Sequence, residues 1–423
     1  MKTFVEKLSL LFSDKSLRKR ILFVLGALII FRALAAIPLP GVSVGSLSNF
    51  LSNNQFLGLL NIFSGGGLAN LSIVMLGVGP YITATIIMQL LTMVFPRLKE
   101  MYHEEGELGR KKFSQYSRML AVPLGILQGL GLMALLTSQN ILEPMQGFEK
   151  VVSLIVITAG SILLMWLGEL INEFGIGNGV SIIIFSGIVA SIPTSIARAL
   201  FTFEISQLPV YLLFLIIAVL IVAGVVLVTE AERPIPVTYA KRVRGMKMYG
   251  GQSTYLPLRL NQAGVIPIIF ALSILLFPQM ITNLLSGSGN AIIQKVSGLA
   301  NTILQNQLVY GILYFILVFV FTYFYTAITF DPHATSENLQ KSGAFIPGTR
   351  PGASTTEHLS QIVTRLTTFG ALFLGIIAVL PIVMQSVTGI TSLAIGGTGL
   401  LIVVSVVIDL IKQLNAQLSV REY

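Results

Sequence analysis

Cysteine is absent from the 423 residues, so disulfides, zinc–thiolate sites and thiol nucleophiles are excluded at once. Charge is scarce. Asp, Glu, Lys and Arg make up 11% of the chain, against about 25% in an ordinary soluble domain. A soluble fold needs polar surface to meet water, and this composition cannot supply it. Histidine occurs only at His103, His333 and His358, too far apart in sequence to suggest a metal centre. Each reads as a solvated loop side chain. No GxxxxGK(S/T) stretch occurs, so there is no P-loop to hydrolyse nucleotide, and any work must be driven by a partner or a gradient. What is abundant is apolar: 54% of residues are hydrophobic and the mean hydropathy is +0.84. The chain reads as an integral membrane protein.

A helix crossing a hydrocarbon core needs about 20 mostly apolar residues. Ten stretches qualify: 20–37, 72–95, 113–137, 151–171, 179–200, 209–229, 262–282, 308–329, 365–387 and 391–414. Runs of this length argue against a β-barrel, whose strands are shorter and alternate in polarity. The expected fold is all-α and polytopic. The first span has a basic lead and Ala33-Leu34-Ala35 at its end, as a secretory signal would, yet its run is long and nine spans follow. It reads as a retained helix. Ahead of it, in residues 1–19, Phe4, Leu8, Leu11 and Phe12 fall at helical spacing, which predicts a short amphipathic helix on the membrane surface.

Orientation follows from the basic residues. With span-end residues assigned to the adjoining loop, 21 of the 27 Lys and Arg lie in odd-numbered segments and three in even ones. The remaining Arg32, Arg118 and Arg365 sit within or at the edges of spans. By the positive-inside rule both termini are cytoplasmic. The first external loop, 38–71, has no charge of either sign. Two cytoplasmic loops, 230–261 and 330–364, exceed the length of ordinary connectors, which marks them as functional or disordered. A split near residue 205 gives two groups of five spans, as in transporters with inverted repeats, although no internal identity is evident.

Two other chemistries have recognisable requirements. An intramembrane serine protease needs a base near its serine, and no span contains histidine. Ser64-Gly65, Ser186-Gly187 and Ser288-Gly289 read instead as close-packing pairs. A coupled solute transporter normally places carboxylates at the midplane, whereas Glu169, Glu173 and Asp409 lie near helix ends. Coupling can also use carbonyls and hydroxyls, so the transporter stays open as an alternative at this point.

Four stretches occur in order: Phe63-Ser64-Gly65-Gly66-Gly67-Leu68 running on to Gly79-Pro80-Tyr81-Ile82-Thr83-Ala84, then Arg233-Pro234-Ile235-Pro236-Val237-Thr238-Tyr239-Ala240-Lys241-Arg242, Gln252-Ser253-Thr254-Tyr255-Leu256-Pro257-Leu258, and Gly343-Ala344-Phe345-Ile346-Pro347-Gly348-Thr349-Arg350-Pro351-Gly352. Together with the spans and their orientation, they closely resemble the SecY/Sec61-alpha family, the central subunit of protein-conducting channels. The chain departs from the common pattern at Met246, where arginine is frequent, at Thr349 in place of isoleucine, and in a short tail, 415–423.

The resemblance implies a passive channel and not an enzyme. It would pass unfolded secretory chains across the bacterial plasma membrane and release apolar segments sideways into lipid. It implies two five-helix halves, 20–205 and 206–414, around a central pore. An apolar pore ring is implied at Ile82, Ile86, Ile184, Ile188, Ile269 and Ile402. Spacing alone would make these ordinary core or lipid-facing isoleucines. A re-entrant plug is implied at about 61–72, with Asn61, Ser64, Asn70 and Ser72 too polar to face lipid and Gly65, Gly66 and Gly67 able to hinge. Gln89 and Gln262 are implied along a lateral gate between spans 2 and 3 and spans 7 and 8. Lys241, Arg242, Arg244, Lys247 and Arg350 are implied in docking the ATPase SecA or the ribosome. The implied partners are SecE, often SecG, SecA, the ribosome, and preproteins with their signal peptides. The basic excess also suits anionic lipid. No cofactor, metal or small-molecule substrate is implied.

Overall fold

The structure is a computed structural model. It describes residues 14–39, 61, 64–68, 70–138, 141–142, 147–201, 208–239, 242–244, 247–249, 253–286, 298, 306–388 and 391–419. Of the segment 1–19, in which a surface helix is expected, residues 1–13 fall outside the described residues, as do residues 40–60 of the first external loop.

Ten of the helices occupy the ten predicted spans. Helix α1 (Lys15–Ala35) starts at Asp14, whose carboxylate accepts from the Ser16 backbone N–H at 2.8 Å and so caps the first turn. Helix α2 (Gly79–Val94) is followed after Phe95 by α3 (Pro96–His103), and the chain bends by 117° between them. Then come α4 (Gly106–Ser138), α5 (Gly147–Phe174), α6 (Gly179–Phe201) and α7 (Leu208–Glu230). After the cytoplasmic strands follow α8 (Ile266–Ser286), α9 (Gln307–Thr329), the short α10 (Pro332–Lys341), α11 (Ala353–Thr388) and α12 (Thr391–Ser419). Among the described residues, five helical stretches are long and apolar enough to cross a membrane by themselves, and α2 with α3 makes a sixth if the bent pair counts as one. In α6, α7 and α8 the qualifying apolar stretches are shorter, and α1 carries a basic first turn and Arg32.

Two boundaries differ from the hydropathy reading. The second span was placed at 72–95, but its helix begins only at Gly79, and residues 73–78 form successive turns. Pro80 lacks an N–H and suits a first helical turn, so the helix starts where the proline permits. The preceding turns are apolar because they are buried in protein: Val74, Met75 and Val78 are fully buried. Hydropathy sets the ninth span at 365–387, whereas α11 begins at Ala353 and its first turns are polar.

The all-α expectation holds for the membrane part but missed a small sheet in the long loops. Strand β1 (Glu232–Tyr239) pairs antiparallel with β4 (Ser253–Arg259) from Glu232↔Arg259 to Thr238↔Ser253. Strand β5 (Ala344–Phe345) adds to the other edge of β1 at Thr238 and Tyr239, giving the order β4-β1-β5. Pro234 and Pro236 lie where that edge of β1 is unpaired, which is where a strand tolerates a residue without a donor. Between β1 and β4, β2 (Arg242–Arg244) and β3 (Lys247–Tyr249) form a separate hairpin. Ile235, Val237, Leu258, Ala344, Ile346, Leu359, Ile362 and Val363 bury one small core between this sheet and α11. The two long loops are therefore one folded platform. Arg259 meets Glu232 at 3.4 Å beneath it, and Lys412 of α12 reaches Glu230 at 3.0 Å.

Candidate functional site: an apolar constriction over a re-entrant segment

All six isoleucines of the expected ring are buried in one hydrophobic cluster, although they come from four helices. Ile82 and Ile86 come from α2, Ile184 and Ile188 from α6, Ile269 from α8 and Ile402 from α12. None is more than 7% exposed. Helices α6 and α12 meet at this level: a Cβ added at Gly399 would lie 3.1 Å from Ile188 Cγ2. Ions do not shed their hydration into an apolar ring, so side chains of this kind can seal a pore by dewetting.

The expected plug residues sit in a tight knot of turns. The Asn61 carbonyl accepts from the Gly66 N–H at 2.8 Å and from Ser64 Oγ at 3.0 Å, and Ser64 Oγ accepts from the Leu68 N–H. Ser72 Oγ donates to the Gly67 carbonyl at 2.9 Å. The small polar side chains thus satisfy the irregular backbone itself, which is what burial at membrane depth requires. Gly65 and Gly66 hold φ of +64° and +87°, and a Cβ on Gly65 would strike the Phe31 ring at 2.3 Å. Ser64 and Ser72 are fully buried, Asn61 is half-buried, and the exposed Asn70 donates to the Ala35 carbonyl at 3.2 Å. The segment is tied back to the end of the first span by Leu39 N–H to the Leu71 carbonyl and Ile73 N–H to the Ile37 carbonyl. Leu68 and Leu71 anchor it in a second buried cluster with Leu132 and Leu136 of α4.

Helix α8 packs against α2 and α4 on one side and α9 on the other. Phe270 of α8 meets Phe321 of α9 edge-on at 6.0 Å. Gln89 and Gln262, expected at this seam, are both half-buried. The Gln89 Oε1 is buried without a hydrogen-bond partner, and the structure gives no bond between the two glutamines. Of the expected docking residues, Arg242, Arg244 and Lys247 gather on the β2–β3 hairpin, with Arg244 opposite Lys247. Lys241 lies outside the described residues. Arg350 is exposed between Gly348 and Gly352, at φ of +88° and +100°. Its carbonyl accepts from Thr355 Oγ1 at 2.8 Å, which fixes the loop through the backbone and leaves the guanidinium outward.

Sequence reasoning gave no role to Arg32, which bonds the Gly65 carbonyl of the expected plug, did not say that Gly187 packs on Gly65, and did not pair Arg118 with Glu169, which bridge α4 and α5. A charged residue inside a span was the available signal for Arg32 and for Arg118. A polar cleft of about 670 Å³ opens between α10 and α11, lined by His333, Glu337 and Glu357 among others. A hydrogen bond from Lys341 holds the Glu337 carboxyl below the usual carboxylate range. Among the described residues no group of three or more His, Asp or Glu could hold a metal ion.

A polytopic helical membrane fold, with a large buried apolar cluster among its helices and two long loops folded into one platform, is that of a protein-conducting channel. It superposes on the solved structure described as "The structure of a protein conducting channel" with a TM-score of 0.66 at 18% identity, over 95% of this chain and 93% of that one. It also superposes on Sec61 from the canine ribosome-channel complex of the endoplasmic reticulum, with a TM-score of 0.63 at 17% identity over the same shares. The SecY family profile matches residues 72–411. Protein translocase subunit SecY of Mycobacterium tuberculosis is 44% identical over 96% of both chains. That of Thermus thermophilus is 43% identical over 96% of this chain and 94% of its own. The chain belongs to the SecY family.

Proposed function

We propose that this chain is the pore subunit through which unfolded secretory polypeptides cross the bacterial plasma membrane, and from which apolar segments leave sideways into lipid. The observation that carries the reading is the buried isoleucine cluster, drawn from α2, α6, α8 and α12, with a glycine-rich segment of turns pressed against α6 beside it. Such a ring can widen around a chain and re-close behind it, because apolar contacts are non-directional. Residues 20–205 and 206–414 form the two halves, residues 61–72 the plug, and the seam of α2 and α4 with α8 and α9 the lateral gate. Both termini face the cytoplasm. The chain itself is no enzyme; SecA or a translating ribosome docks on the platform and supplies the drive. SecE and SecG complete the complex in the membrane.

The absence of cysteine provides the test. Single cysteines replace Ile86 or Ile402, and a secretory chain bearing one cysteine is stalled midway. Disulfides should form at both positions and not at Ile216→Cys, whose side chain faces outward from α7. Failure at both ring positions, with the chain verified as stalled, removes the ring assignment.

The platform makes a second prediction. Arg350 is free to pair with an acidic surface, and arginine offers a planar fork that lysine lacks. Arg350→Glu should cut ATPase-driven translocation about tenfold or more, the cost of losing a charge-assisted contact, and leave the melting temperature unchanged. An equal fall in melting temperature would mean that the residue holds the loop together.

A further inference from the structure

Arg32 is a permanent charge inside the first span, and among the described residues no carboxylate pairs with it. Its Nη1 donates to the carbonyl of Gly65 at 3.1 Å, and its Nη2 donates to the carbonyl of Ser186 on α6. The guanidinium carbon lies 5.1 Å from the centroid of the Phe31 ring. Both carbonyls belong to places that matter for closure. Gly65 is in the plug segment, and Ser186 lies between the ring residues Ile184 and Ile188 on α6. Around this bridge the backbones are pressed together: a Cβ added at Gly187 would lie 2.1 Å from the Gly65 Cα, and one at Gly65 would lie 2.3 Å from Phe31. One side chain from the first span therefore holds the plug segment and a ring helix at the same height.

The chemistry suits arginine. A charge at membrane depth must be satisfied by fixed acceptors, and a planar fork with parallel N–H groups reaches two carbonyls at once. The carbonyl of Gly65 is reachable because the left-handed backbone there turns its peptide toward α1, and glycine alone takes that conformation without strain. If the plug leaves, Arg32 loses one of its two acceptors while Ser186 stays in place. The bond is made only in the closed arrangement, which is the condition for biasing a two-state equilibrium.

We infer that Arg32 is a positioning residue: a latch that fastens the plug segment to the ring helix α6 and sets how often the resting channel opens. The inference rests on the plug reading of residues 61–72. Its test uses the full chain, purified with its membrane partner subunits and reconstituted in lipid vesicles. Two readouts are taken without substrate. One is ion conductance. The other is the rate at which an impermeant maleimide labels Ser64→Cys, the sole thiol, whose parent side chain is fully buried.

Arg32→Met should raise both by about tenfold or more, since it removes a charge-assisted hydrogen bond from the closed state only. Arg32→Lys, which keeps the charge but not the fork, should fall between Met and the parent. If the Met variant does not assemble, Lys carries the test alone, and parental values in both readouts overturn the latch. A chain lacking residues 61–72 separates the two ideas. Should that deletion raise conductance while Arg32→Met changes neither readout, the latch is wrong and the plug reading stands. Should the deletion also leave conductance unchanged, the plug reading itself fails.

Discussion

Replacing both Ile86 and Ile402 with asparagine should turn the resting channel into a standing ion leak. The two side chains are each 1% exposed and sit on α2 and α12, and in the proposed ring they would close the pore from opposite halves of the chain. An asparagine in either place is a buried amide whose surroundings in the cluster are apolar. Leaving such a group unsatisfied costs about 1–3 kcal/mol, and water entering the ring is the simplest way to recover it. Taking about 2 kcal/mol per site and treating the sites as independent, the pair shifts the closed-to-open ratio by roughly three orders of magnitude. Wetting adds a second effect in the same direction, because a hydrated ring no longer excludes ions even before the helices part. The measurement is dye or ion efflux from vesicles holding the purified complex. Ile216→Asn is the control, because it adds an amide to the outer face of α7 and leaves the ring alone. Efflux from the double variant no faster than from Ile216→Asn would remove these residues from the seal.

The membrane architecture was legible because hydropathy reports what lipid demands, and ten apolar runs match ten helices. The same measure failed where apolarity has another cause. Residues 72–78 are apolar because protein surrounds them, and their backbone is satisfied by turns that include Leu71 at φ +43° and Gly77 at +59°. A hydropathy window cannot tell that burial from lipid. It also starts the ninth span too late, at 365 where α11 starts at Ala353, since the first turns of α11 are polar and helical at once. The sheet was missed although Ile235, Val237, Leu256 and Leu258 alternate as strand residues do. The prolines between them argued against strands, and only the pairing shows that they occupy a free edge. The ring assignment rests on resemblance alone, because isoleucines four apart occur in any span. Ser186-Gly187, read as a close-packing pair, is one: its glycine bears directly on Gly65. What it packs against could not be read from spacing, since the contact joins residues more than a hundred apart.

Gly187→Ala should unseat the plug segment by a single methyl group while α6 remains helical. The added Cβ would stand 2.1 Å from the Cα and 2.6 Å from the carbonyl carbon of Gly65. Carbon atoms pack at about 3.5–4.0 Å, so one backbone must retreat by roughly 1.5 Å. Helix α6 is held along its length by α5 and α12, whereas Gly65 is held by turns and by Arg32, so the plug segment is the part that yields. That retreat stretches the bond from Arg32 to the Gly65 carbonyl beyond a useful length. Within α6 the change is favourable on its own, because alanine in a helix interior is better than glycine by about 0.5–1 kcal/mol. The two effects therefore have opposite signs, which a general loss of stability could not produce. Conductance of the resting channel should rise at least tenfold, and the thermal midpoint of the complex should hold or increase. Gly224→Ala, on α7 with its nearest neighbour 3.5 Å from the added atom, should leave conductance unaltered. Because Gly187 and Arg32 act on one seat, Gly187→Ala combined with Arg32→Met should leak little more than the worse of the two alone. Additive increases would mean that the glycine contact and the arginine bridge hold different things, and resting conductance with a parental value in Gly187→Ala would show that Gly65 is not part of the seal.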